Sequence, residues 1–153
     1  MNYRAKEHLT YDSVGTAAAP ATLTAAYTGN RQTHLSKFMP NLHIDFTYTP
    51  KAGQTNRFAS ILVEVSNDDG TTWKPFTIRQ NITTTSLVYV DDADGNNGIN
   101  LKIPGDGTST GGTALSGSID TNVIADKVRV SVKEDGSANF GTMHIQTTVS
   151  SSL

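Results

Sequence analysis

The stretch Asn41–Pro50, NLHIDFTYTP, constrains the fold of this chain more than any other. Leu42, Ile44, Phe46 and Tyr48 alternate with His43, Asp45, Thr47 and Thr49, the two-residue period of a β-strand with one buried and one wet face. The period returns in FASILVEVS, with Ala59, Ile61, Val63 and Val65 on one face and Ser60, Leu62 and Glu64 on the other. It returns again in KVRVSV, through Val128, Val130 and Val132, and in TMHIQTTVS, through Met143, Ile145, Thr147 and Val149. WKPFTI, SLVYV and INLKIP read as shorter strands; Pro75 lacks an N–H, which puts the first of them at a sheet edge or a bulge. TNVIAD is the best candidate for a single helical turn, and no longer helix is expected. Short strands separated by turn signals predict an all-β chain, an antiparallel β-sandwich of jelly-roll or immunoglobulin-like kind.

A length of 153 residues suits one domain, and a hydrophobic share of 36% suits a thin sandwich whose strands each bury one face. Residues 41–153 form the expected sandwich domain. Residues 1–40 are dominated by small side chains, as in AAAPATLTAAY, and are expected to be an extended N-terminal arm or first strand. GDGTSTGGTALSGS has nothing to anchor it, so Gly105–Ser118 is expected to be a mobile loop and, with the arm, a candidate for ordering by a partner.

The net charge of −2 offers no basic surplus for a phosphate backbone, so nucleic acid is not an expected partner. No run approaches the length of a membrane span, and MNYRAKEHLTYDS lacks the apolar core of a signal peptide. The absence of cysteine excludes disulfides, thiolate metal sites and a Cys nucleophile.

The most specific motif is VSNDDGTTW, residues 65–73, with the spacing Ser-x-Asp-x-Gly-x-Thr-Trp. It resembles the Asp-box of sialidases and related β-propeller glycosidases. Each of its residues has a structural job. Asp68 can accept from N–H groups of its own turn, and Gly70 can take positive φ. Ser66 and Thr72 can link the strand ends, and Trp73 can cover the hairpin. A propeller needs at least four blades of about 40 residues, and this chain has one motif and no internal repeat. Arg4, Arg31, Arg57, Arg79 and Arg129 form no recognisable carboxylate-binding cluster. The box is therefore expected to build a turn, and no catalytic residue is nominated.

DDADGNNG invites a calcium reading. Counted from Asp92, Asp94 and Asn96 suit an EF-hand loop, but Asn97 stands where Gly is needed and Ile103 where Glu is needed. A surface turn is the simpler expectation, with Asp91, Asp92 and Asp94 left as ligands for a non-EF calcium site; no cofactor is expected. His8, His34, His43 and His144 lack metal-ligand spacing, and His43 and His144 fall on the outer faces of different strands. Asn81-Ile82-Thr83 matches a glycosylation sequon that is incidental without a secretion signal.

The run FTYTPKAGQTNRFASILVEVSNDDGTTWKPFTI, Phe46 to Ile78, resembles a segment familiar in short all-β head and tail proteins of tailed bacteriophages, and KVRVSVKEDG with its closing strand extends the likeness. The resemblance implies a non-enzymatic virion structural protein, made in a host cytoplasm. Proteins of this size in that class are often capsid decoration (cement) proteins, frequently trimers, that bind between major capsid protein subunits. Two alternatives stay open: a tail, head–tail connector or fibre component, and a β-sandwich that binds carbohydrate or a host surface.

Overall fold

The computed structural model describes residues 8–28, 32–34, 39–51, 59–76, 88–89, 101–102, 114–134 and 139–151. Eleven strands and no helix occur among them: β1 (His8–Val14), β2 (Ala21–Thr22), β3 (Gln32–His34), β4 (Asn41–Thr49), β5 (Ala59–Ser66), β6 (Lys74–Pro75), β7 (Val88–Tyr89), β8 (Leu101–Lys102), β9 (Leu115–Asn122), β10 (Lys127–Glu134) and β11 (Thr142–Ser150). One sheet runs β1–β11–β4–β9, with β2 also paired to β11; the other runs β3–β10–β5–β6. Every ladder is antiparallel. The two sheets make the expected sandwich, and β7 and β8 pair as a separate two-stranded ribbon.

Alternation in the long strands builds the core. Leu42, Ile44, Phe46 and Tyr48 of β4 and Met143, Ile145 and Val149 of β11 are buried from one sheet, and Ala59, Ile61, Val63, Val128, Val130 and Val132 from the other. Each large side chain among these gains about 1.5–3 kcal/mol on leaving water. Thr147 faces inward too and is fully buried. Its hydroxyl accepts from Ser13 Oγ at 2.6 Å, so the polar atom is satisfied inside the apolar layer. Ser13 reaches it because β1 bulges between Asp12 and Val14, turning Ser13 and Val14 both inward.

Several expectations need correction. Leu115–Ser118, expected to lie in a loop, form the first half of β9, zipped to β4 along its length. Among the described side chains of this strand Ile119 alone joins the core, too little to show as a periodic pattern. TNVIAD makes no helical turn. Thr121 and Asn122 end β9, and Val123 and Ala125 are buried while Ile124 and Asp126 are exposed, the period of extended chain passing from one sheet to the other. Leu62, expected on an outer face, is 7% exposed, and Ser131, its register partner, is equally enclosed. Pro75 does lie on the edge strand β6.

The N-terminal region divides between the sheets. β1 and β2 flank β11, Leu23 is in the core with its N–H on Gly141 O at 2.9 Å, and Thr28 bridges to Val132 of the second sheet. A deletion through residue 28 would strip an edge strand and a core side chain, so it would not leave the sandwich intact.

A close approach at the far end of the sandwich fixes one glycine. Glu134 is buried and its Oε2 accepts from the Gly141 N–H at 2.7 Å. A Cβ on Gly141 would lie 2.5 Å from Thr49 O and 3.0 Å from Glu134 Oε2. Backbone would have to move, at a cost of about 1–3 kcal/mol. Gly141→Ala is expected to lower the unfolding free energy in urea by that amount, with a lower midpoint and an unchanged m-value.

Candidate functional site

Two groups of polar side chains stand out from the framework, one at the corner after β5 and one on the outer face of the first sheet.

The corner is the Asp-box. Ser66 ends β5 with its side chain buried, donates to Asp68 Oδ1 at 2.7 Å and accepts from the Gly70 N–H at 2.8 Å. Asp68 also accepts from the Thr72 N–H at 2.8 Å and the Thr72 hydroxyl at 2.5 Å. Asp69 and Gly70 carry the reversal with φ of 57° and 89°, values that Asp tolerates and Gly adopts freely. Trp73 folds back over the turn and donates from Nε1 to Gly70 O at 3.0 Å. Ser66, Asp68, Gly70, Thr72 and Trp73 are thus brought into one bonded unit.

Three further residues clamp that unit to the sandwich. Lys127, opposite Ser66 in the β5–β10 register, donates to Asp69 O at 2.8 Å and lies 3.0 Å from the Asp69 carboxylate. Arg129, opposite Glu64, donates from Nε to its Oε2 at 2.6 Å, and its guanidinium lies 4.5 Å from the centre of the Trp73 ring. The Arg129–Glu64 contact is a cross-strand pair reinforced by a cation over an aromatic face. Sequence reasoning missed Lys127, Arg129 and Glu64 in this role. Lys127 stands 58 residues from Asp69, so the pairing register alone reveals the contact.

On the outer face of the first sheet, His43 of β4 sits between two carboxylates, with Nδ1 on Asp120 of β9 and Nε2 3.0 Å from Asp45. With both ring nitrogens turned to carboxylate oxygens, the imidazolium is the form that satisfies both contacts. His144 Nε2 lies 3.0 Å from Asp12, and hydroxyl pairs Thr47–Ser116 (3.0 Å) and Thr10–Thr148 (2.9 Å) continue the same face. His8 and His34 lie on β1 and β3. Asp91, Asp92, Asp94, Asn81 and residues 105–113 lie outside the described residues. Among the described residues no group of three His, Asp or Glu is placed to hold a metal ion.

The two groups have opposite pH signatures. Hydrogen bonds from the Thr72 hydroxyl and N–H, then from Ser66, hold the Asp68 carboxyl down from 3.8 to about 2. Its depressed value stabilises the fold above about pH 4 and the benefit fades as pH falls toward 2. Partial burial opposes charge on His43, but the Asp120 hydrogen bond and the charges of Asp45 and Asp120 outweigh it, and the pKa is raised. That contribution is complete below pH 6.5 and is lost as pH rises through the raised value. Denaturation midpoints measured from pH 2 to 9 should show both slopes, with Asp68→Asn removing the acid one and His43→Gln the one above pH 6.5. Ser66→Ala leaves the Gly70 N–H without its acceptor and is expected to cost about 1–3 kcal/mol in urea denaturation at pH 7.

No family model matches the chain, and no curated protein matches it. Among solved structures it is similar to the VP2 chain of the infectious bursal disease virus subviral particle, with a TM-score of 0.38 and 9% identity over 95% of this chain and 32% of that one. It is also similar to the Gx strain structure of the same virus, with a TM-score of 0.25 and 12% identity over 96% of this chain and 42% of that one. This chain spans about a third of the length of the VP2 chain it matches in the subviral particle.

Proposed function

We propose that this chain is a non-catalytic structural protein of a virion, of the capsid decoration type, that binds between subunits of a major capsid protein. The observation that carries the proposal is the Phe46–Ile78 run, whose sequence resembles the head and tail proteins of tailed bacteriophages. Its described part comprises the end of β4 and the β5–β6 corner, the latter clamped to β10 through Lys127 and Arg129. A corner tied down in this way presents one conformation, so little ordering cost falls on binding. The outer face of the first sheet adds hydroxyls and three His–Asp contacts, a surface suited to a hydrogen-bonded, wet contact. A modest interface of this kind, repeated over a shell, adds up through multivalency and stabilises the assembled state by mass action.

Co-sedimentation of the purified chain with mature, expanded capsids of the virus that encodes it tests the proposal. Saturation at a simple fraction of the major capsid subunit number is the expected result. A handful of copies per particle would replace the decoration role with a tail, connector or fibre role. No binding would overturn the capsid reading in favour of a carbohydrate- or host-surface-binding sandwich.

A further inference from the structure

The two sheets end in strands of unequal exposure to outside pairing. β6 has two residues, one of them Pro75, and β3 has three. β1 is bulged at Ser13 and packs against β3 and β10 across the sandwich. Short strands, proline, bulges and coverage are the usual ways in which a sheet edge is kept from joining another chain. Among the described residues β9 shows none of them. It runs for eight residues, Leu115–Asn122, in unbroken register with β4, contains no proline or lysine, and forms no ladder on its other side among the described residues.

We propose that the outer edge of β9 pairs antiparallel with β9 of a second copy of this chain, about a twofold axis at Ser118. The side chains favour that occupant and that register. Antiparallel pairing centred on Ser118 sets it opposite Ser118 of the partner subunit, and Asp120, the one charge on the strand, opposite Ser116 of the partner subunit. Ile119 falls opposite Gly117 of the partner subunit, where the missing side chain leaves room. Centring on Asp120 instead would set two carboxylates face to face, which is destabilising. Each Asp120 also contacts His43 within its own subunit, an imidazole it shares with Asp45. The pairing would join the two first sheets into one and run their polar outer faces together. Such a joint is isologous, so it closes at two subunits, and the threefold arrangement implied by the phage resemblance would need a different surface. This inference does not depend on the virion reading.

Sedimentation velocity on the full chain over a micromolar concentration series, joined to hydrogen–deuterium exchange at both ends of the series, tests it. The expected result is a dimer whose β9 amides exchange at least tenfold more slowly at high concentration. Ser118→Lys faces two ammonium groups across the axis and should weaken the dimer at least tenfold, while mixing it with Ser118→Glu restores a mixed pair. Thr10→Lys, on the opposite edge of the same sheet, should leave the dimer unchanged. A wild-type monomer throughout, or a dimer whose β9 amides exchange at a rate independent of concentration, overturns the proposal. The exchange readout on the unmodified chain decides the matter even where a Ser118 variant fails to fold.

Discussion

Strand β11 is hydrogen-bonded on both sides, to β4 from Thr142 through Ser150 and to β1 and β2 across the other edge. The rest of the sandwich depends on this double ladder. It sets Met143, Ile145, Thr147 and Val149 in a row at the middle of the first sheet, against which the valines of β5 and β10 pack. It also joins the two ends of the described chain, since His8 pairs with Ser150. Such pairing must meet the loop-closure entropy of nearly the whole chain before the core contacts repay it, so folding is governed by long-range contacts.

Three polar contacts that the sandwich encloses show how its buried groups are matched. Ser13 answers Thr147 inside the core, Glu134 accepts from Gly141 at one end, and Lys127 reaches Asp69 at the other. The second joins the two sides of the β10–β11 connection, and the third ties the turn between β5 and β6 to β10. Burial without such partners would cost about 1–3 kcal/mol per group. The Asp-box belongs to the same economy of hydrogen bonds: its side chains are turned onto their own backbone and its tryptophan onto Arg129, which makes it a stiff corner.

Legibility followed the number of large side chains on a strand. β4, β10 and β11 each carry three or four on one face, and their period of two was visible at once. β9 reads LSGSIDTN, and β1 reads HLTYDSV with Leu9 left 44% exposed; both are strands because β4 and β11 offer unpaired backbone beside them. Propensity is weak there and tertiary pairing prevails over it. The extended crossing at Val123–Asp126 was mistaken for a helical turn for the same reason, since four residues with Val and Ile together fit either period until the two sheets fix the path.

By itself the amino-acid sequence determined the class of fold, the faces of its three most regular strands and the residues of the Asp-box, because these depend on contacts a few residues apart or on a strict alternation. Tertiary structure alone decided which strands became neighbours. It brought Lys127 and Arg129 under the box, Asp120 beside His43 and Ser13 onto Thr147, and it left β9 at the end of its sheet among the described residues. Those placements follow from register between strands tens of residues apart. Register is set by the fit of whole faces across two sheets, a quantity that no local stretch of sequence contains.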